Sequence, residues 1–169
     1  SPTLAPETLS PETAGKEAGE VRTVSGKTLL SLGEQKKLSA EMIRRAGGGL
    51  AKWLVKNNVT EAGLELSPLF GLAAGPASIV VNALVEGILL GAFTFVNHKS
   101  VDEQKKDTAL TLLVVGAADA SESALEGYIQ KAAITAEAVN LAREWSRCPS
   151  LRGCRAGPPR RSDGLGVTA

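Results

Sequence analysis

The side chains best suited to chemistry in this 169-residue chain are scattered along it rather than clustered. His98 is the only histidine, and Cys148 and Cys154 are the only cysteines. Metal sites and nucleophile–base pairs need several converging ligands or partners. Polar residues surround His98, as in a solvated turn, and Cys148-x5-Cys154 lacks the second pair or the histidine of a zinc knuckle. We therefore expect a surface histidine and neither a metal site nor an activated thiol.

Ser25-Gly26-Lys27-Thr28 is similar to the end of a phosphate-binding loop. The motif G-x-x-x-x-G-K needs a glycine where this chain has Val21, and it should open a helix where a strand is predicted. The match fails on both counts.

Carboxylates and basic residues also predict no reactive site. Glu122, Glu126 and Glu137 have spacings that suit the solvent side of a helix, with Glu126 and Gln130 as a surface pair. The carboxy-terminal arginines could touch phosphates, but no aromatic side chain accompanies them to stack on bases, so nucleic-acid binding lacks support. No residue is predicted to be catalytic, cofactor-binding or metal-ligating.

The composition is that of an ordinary globular protein of about one domain. Hydrophobic residues make up 43% and charged residues 22%, and the formal charge of +1 gives no global attraction to nucleic acid or anionic membrane. Aromatic residues make up 4%, so the core must be built from Ala, Val, Leu and Ile. The sparse cysteines and the absence of a visible secretory signal in the first residues favour a reduced, cytoplasmic setting.

Alternating short strands and helices predict an α/β fold with a mixed sheet flanked by helices. Residues 1–20 are rich in Pro, Glu, Thr and Ser and are expected to be disordered. Residues 21–118 are expected to form the domain, 119–147 a long linker helix, and 148–169 a disordered Arg/Gly/Pro tail. The predicted strands are Lys27–Leu32, Gly63–Leu66 and Thr108–Val115.

The first predicted helix runs from an N-cap at Ser39 to about Asn57. It contains three consecutive glycines, Gly47 to Gly49, each of which costs roughly 1 kcal/mol relative to alanine. We expect close packing against a neighbour to compensate for this cost.

The second predicted helix, from about Ala77 to Phe95, is apolar enough to raise the question of a membrane span. Asn82 and Glu86 are its only strongly polar side chains, and an acidic residue at mid-span costs on the order of 3 kcal/mol. This cost favours a buried helix of a soluble domain over a membrane helix. Gly87 and Gly91 form a Gly-x-x-x-Gly pair that we expect to seat the helix closely on a sheet.

Three segments carry recognisable motifs in a fixed order. The first is the strand Thr28-Leu-Leu-Ser-Leu-Gly33 with Arg44-Arg45-Ala46-Gly47 and Ala51 in the helix after it. The second is Leu84-Val-Glu-Gly87 with Leu90-Gly91, Phe93, Phe95 and Lys99-Ser100. The third is Ile134-Thr-Ala-Glu-Ala-Val-Asn-Leu-Ala-Arg-Glu144. Together they resemble the leucyl (cytosol) aminopeptidase family, whose linker helix the third segment resembles.

This resemblance implies the macro-like amino-terminal domain of that family, in an incomplete form. The full-length enzymes are cytoplasmic hexamers that use two divalent metals, zinc or manganese, to remove amino-terminal residues from peptides. The family's metal-binding motif Asn-Thr-Asp-Ala-Glu-Gly-Arg-Leu is missing from this sequence, so no site residue is carried over. We expect a non-catalytic, homo-oligomerising fragment that has a role in assembly and in access to the active site. The alternative is a stand-alone macro-like module that binds a nucleotide, DNA or a protein.

Overall fold

A computed structural model describes residues 7–12, 17–24, 27–59, 61–70, 75–93, 110–115, 121–147 and 165–168. The strands are β1 Glu7–Glu12, β2 Ala18–Val24, β3 Lys27–Leu32, β4 Glu61–Glu65, β5 Leu110–Val115 and β6 Leu165–Thr168. They form one six-stranded sheet of order β2-β3-β1-β4-β5-β6. The helices are α1 Ala40–Lys56, the short α2 Ser67–Phe70, α3 Ala77–Ala92 and α4 Glu122–Arg147, with a single 3₁₀ turn at Gln35–Lys37.

Every strand pair in the sheet is parallel except the antiparallel pair formed by β2 and β3. The connections through α1, α3 and α4 each join two parallel strands and advance across the sheet in one direction. Because such crossovers are right-handed, they place the three helices on the same face of the sheet. Accordingly, α1 packs on α3 and α3 packs on α4, while α1 also lies on β2 and β3. The predicted mixed α/β fold is confirmed.

β3, α1 and α4 lie where the sequence predicts them, whereas β4 begins two residues earlier than predicted, at Glu61, and α3 ends at Ala92 rather than at about Phe95. Ser39 caps α1, and its side-chain oxygen accepts a hydrogen bond from the Met42 backbone N–H at 3.4 Å. Gly33 ends β3 with a φ of +83°, a conformation that glycine adopts without steric cost. Ser121 precedes α4 and accepts from the Ala124 backbone N–H at 3.3 Å.

The prediction that residues 1–20 are disordered is wrong for β1 and for the beginning of β2. β1 lies between β3 and β4, with Leu9 in register with Thr28 on one side and Leu64 on the other. This strand is set by its two neighbours rather than by its own Pro/Glu-rich composition. The register with β4 ends at Leu9, so Pro11, which has no backbone N–H, is paired only with Leu30 of β3.

The predicted disorder of residues 148–169 is also wrong for its last part. Leu165–Thr168 form β6, which pairs in parallel with β5 at the sheet edge. Val167 and Thr168 are β-branched and favour a strand. The glycines and arginines that precede them favour a loop, so the sequence as a whole does not predict a strand there. Residues 148–164 lie outside the described residues.

The core lies between the sheet and the helix layer. Its largest fully buried side chains are all leucine or isoleucine, as the aromatic-poor composition predicts: Leu30, Leu32, Ile43, Leu50, Leu54, Leu64, Leu66, Leu69, Leu84 and Ile88. Helix α4 buries Leu125, Ile129, Ala132 and Ala136 and half-buries Tyr128 and Val139, whereas Ala142 is exposed.

Candidate functional site: the α1–α3–α4 helix layer

Those residues singled out for chemistry that the structure describes lie on separate elements, β3 and α4. His98, Cys148 and Cys154 lie outside the described residues. Lys27 and Thr28 begin strand β3, whereas a phosphate-binding loop would require a helix to begin there. Glu126 and Glu137 are exposed on α4, as predicted. Among the described residues, no group of three or more His, Cys, Asp or Glu side chains could hold a metal ion.

The most specific geometry in the described chain is the contact of α1 with α3, which is built from glycines. A Cβ atom on Gly47 would lie 2.5 Å from the Leu84 carbonyl oxygen, and one on Gly91 would lie 2.6 Å from the Gly48 Cα atom. A Cβ on Gly87 would overlap the Arg44 carbonyl oxygen still more closely. The two helix backbones therefore touch where a side chain would separate them.

This contact confirms one prediction about the glycines and corrects another. Close packing compensates for the glycines of α1, as expected, and Gly49 lies against Gly19 of β2. The pair Gly87 and Gly91, however, seats α3 on α1 rather than on the sheet. The sequence shows that a backbone comes close, but it does not show which element supplies that backbone.

Arg44 links α1 to Glu86 of α3 beside the glycine contact. Its guanidinium lies 3.2 Å from the Glu86 carboxylate and 2.6 Å from that of Glu41, which also lies 3.2 Å from Arg45. Burial lowers the pKa of Arg44, but the hydrogen bonds to Glu41 and Glu86 outweigh burial and raise it overall. Arg44 and Arg45 together balance the charges of Glu41 and Glu86, so these carboxylates do not form an open acidic site.

Glu86 is the residue that makes a membrane span costly in the sequence, and the structure gives it a partner in the helix layer. Its side chain is 18% exposed and paired with Arg44. In the part of the chain that the structure describes, no helix combines the length and the apolar character that crossing a membrane would need.

α4 is fastened to the carboxy-terminal end of α3 by two polar side chains. The Asn140 side-chain amide donates to the Leu89 carbonyl at 3.4 Å, and the Arg143 guanidinium donates to the Leu90 carbonyl at 3.1 Å. Arg143 also donates to the Asn140 side-chain oxygen at 3.2 Å. The last carbonyls of a helix have no partner within it and carry partial negative charge, so a cation and an amide bind there favourably.

Each of the three segments that carry the sequence resemblance contributes residues to these contacts. Arg44 and Gly47 lie on α1, Glu86 and Gly87 on α3, and Asn140 and Arg143 on α4. Each is a residue through which one helix of the layer touches the next. The described helices α1, α3 and α4 thus form one packed layer on the sheet, and the fold is of the α/β class.

Comparison with known proteins gives the family. The model of the cytosol aminopeptidase family, N-terminal domain, matches residues 16–102, about half of the chain. The chain therefore belongs to the cytosol aminopeptidase family through that domain. A probable cytosol aminopeptidase of Geotalea uraniireducens (strain Rf4) is 28% identical over 116 residues, which span 69% of this chain and 23% of that protein.

Two solved structures share the fold. The bottromycin maturation enzyme BotP superposes with a TM-score of 0.62 at 19% identity, covering 86% of this chain and 33% of BotP. BotP in complex with Mn gives 0.61 at 18% identity, covering 86% and 32%. This chain thus spans about a third of the solved relatives and about a quarter of the curated one.

Proposed function

We propose that this chain is a non-catalytic amino-terminal part of a leucyl (cytosol) aminopeptidase, with a role in assembly and in access to an active site carried elsewhere. The match to the family's N-terminal domain supports this role. The pairing of Glu41 and Glu86 with Arg44 and the packing of the α1 and α3 glycines against backbone also support it, because these contacts are structural.

The observation that carries the proposal is the fastening of α4 to α3 through Asn140 and Arg143. α4 has 26 residues, which at about 1.5 Å per residue gives roughly 39 Å of helix. A helix of that length, held against the domain along its carboxy-terminal half, fixes the direction in which it leaves the domain. It can therefore set the position of whatever it contacts.

For the parent enzyme we propose the properties expected of this family. It releases amino-terminal residues from peptides, uses two divalent metals, zinc or manganese, and acts as a cytoplasmic hexamer. Its amino-terminal domain is of the macro-like type. The Mn complex of BotP is in keeping with the metal, although the residues described in this chain do not form a site for it.

A peptidase assay tests the non-catalytic role. The purified chain, metal-stripped and then supplied with manganese or zinc, is incubated with Leu-p-nitroanilide beside a full-length enzyme of the family as positive control. We expect no release of nitroaniline above buffer. Metal-dependent turnover that co-purifies with the chain through a second column would overturn the proposal.

The alternative, a stand-alone macro-like module that binds a nucleotide, DNA or a protein, predicts a different result. Calorimetric titration of the chain with ATP and with a short DNA duplex would then give saturable binding. We expect no saturable heat from either titration, and saturation in one of them would favour the alternative.

A further inference from the structure

Helix α4 carries apolar side chains on two opposite sides. The inner side packs on α3 and includes the buried residues Leu125 and Ile129. On the other side, Ile134 and Trp145 are 64% and 62% exposed. They are three helical turns apart at about 3.6 residues per turn, so they share one face. We call this face the outer stripe, and its members are Ile134, Ala138, Leu141, Ala142 and Trp145.

The residues of the outer stripe suit packing against another helix. The small, exposed Ala138 and Ala142 lie between the bulky Ile134 and Trp145 along α4. Small residues between large ones allow a second helix to approach closely. This part of the stripe is held in place, because Asn140 and Arg143 fasten the same stretch of α4 to α3. A preorganised surface loses less entropy on binding than a mobile one.

One flank of the stripe is acidic. Glu126, Glu137 and Glu144 follow one another at intervals of three and two turns and so form a row along α4. The ion pairs found among the described residues all involve residues between Glu20 and Glu86, so none of them neutralises this row. A ligand for the stripe should therefore be apolar on one side and basic beside it.

We propose that the outer stripe docks a basic amphipathic helix of another polypeptide. Its apolar residues, spaced by three or four positions, would seat over Ala138 and Ala142 between Ile134 and Trp145, and its lysines or arginines would face Glu137 and Glu144. This inference does not rest on the proposed aminopeptidase role. It needs only the stripe, its acidic flank and the fastening of α4.

A second copy of the chain fits the stripe less well. In an antiparallel helix pair with two-fold symmetry, equivalent flanks of the two helices come together. The acidic rows of both copies would then lie side by side and repel each other. The chain's own sequence from Cys148 to Gly164 also lacks the pattern of an amphipathic helix, because it contains six prolines or glycines and a single large apolar residue, Leu151.

Fluorescence anisotropy with labelled synthetic peptides tests the docking. The probe is a peptide of about five helical turns with leucines on one face and lysines along one flank. One control peptide has the same residues in an order that scatters the leucines, and another has glutamate for every lysine. We expect saturable binding of the probe alone, weakened by added salt because exposed charges are screened.

Substitutions in the protein locate the binding site. Ile134→Lys should weaken probe binding by about tenfold or more, since a buried apolar anchor is lost. Ile79→Lys, at an isoleucine of α3 that is 46% exposed, is the matched control and should leave the affinity unchanged. Glu137→Lys should weaken binding and reduce its salt dependence. Circular dichroism checks that each variant is folded.

Three outcomes would overturn the proposal: no saturable binding of the probe, equal binding of the scrambled peptide, or equal losses from Ile134→Lys and Ile79→Lys. Light scattering on the unliganded chain adds a separate check. A dimer that Ile134→Lys dissolves would assign the stripe to a second copy instead. None of these results depends on the peptidase assay.

Discussion

The Arg143 guanidinium donates a hydrogen bond to the Leu90 backbone carbonyl at 3.1 Å and so joins α4 to the last turn of α3. Leu90 lies within the final four residues of α3, whose carbonyls find no partner inside the helix. Arg143 thus satisfies an orphan acceptor and places positive charge at the negative end of the helix dipole. Together with the hydrogen bond from Asn140 to the Leu89 carbonyl, this contact ties α4 to the domain.

Arg143→Ala should therefore lower the free energy of unfolding by about 1–2 kcal/mol, as expected for a partly buried, charge-assisted hydrogen bond. Arg143→Lys keeps the charge but loses the fork geometry of the guanidinium. Its free energy of unfolding should therefore lie between those of the unsubstituted chain and Arg143→Ala. Lys131→Ala, at an exposed position of α4, is the control and should change stability by less than about 0.5 kcal/mol. Urea unfolding measures all three, and equal stabilities of the Arg143 and Lys131 variants would contradict the anchor.

Gly87→Ala tests the close contact of α1 and α3. Its Cβ would overlap the Arg44 carbonyl oxygen, which is backbone and cannot swing away, so we expect a loss of about 1–3 kcal/mol. Gly127→Ala is the matched control, because a Cβ at that position meets nothing within 4 Å. The substitution also removes a glycine from the interior of helix α4. It should stabilise the chain by up to about 1 kcal/mol. Opposite signs in thermal melts would confirm the contact, and two stabilising alanines would rule it out.

A double-mutant cycle on Arg44 and Glu86 should give a coupling energy of about 1 kcal/mol. The pair is 3.2 Å apart, and its side chains are 35% and 18% exposed, so water screens it only in part. The pair Arg22 and Glu20 is shorter, at 2.6 Å, but both side chains are nearly half exposed. We expect the shorter pair to couple more weakly, because burial rather than distance decides the energy here. A larger coupling for Arg22 and Glu20 would refute this ranking.

Glu41 should titrate below its ordinary pKa of 4.5, because hydrogen bonds from Arg44 and then Arg45 favour its charged form. Since its pKa is lower in the folded chain than in the unfolded one, the interaction stabilises the fold above about pH 4.5 and is lost as the pH falls through the lowered value. NMR titration of the Glu41 carboxyl carbon checks the direction. Arg44→Gln should raise this pKa toward 4.5, and an unchanged titration in that variant would contradict the assigned cause.

The strongly patterned elements could be predicted from sequence. β3, α1 and α4 have local signals that suffice, including the N-cap Ser39 and the apolar spacing of Leu125, Ile129 and Ala132. β1 could not be predicted, because Pro11 and the glutamates around it argue against a strand, and only pairing with β3 and β4 makes one. Short strands whose partners lie far away in sequence are decided by tertiary contacts.

The sequence indicated that the helices pack closely, but it did not indicate which residues of which elements contact each other. Glycines at 47 to 49, 87 and 91 indicated close approach, yet their nearest partners lie 30 to 43 residues away in sequence, beyond any local pattern. Arg44 and Glu86 are likewise 42 positions apart. Asn140 and Arg143 stand in a segment that resembles the family, but their acceptors are backbone carbonyls, which leave no trace in sequence.

The central claim is that the helix layer holds α4 in one fixed position, and a spin-label distance measurement tests it most directly. Labels at the exposed residues Lys52 of α1 and Glu137 of α4, with Cys148 and Cys154 replaced by serine, report how α4 sits on the domain. We predict one narrow distance distribution that broadens when Asn140 and Arg143 are both replaced by alanine. A broad distribution in the unsubstituted helix, unchanged by those replacements, would contradict the account.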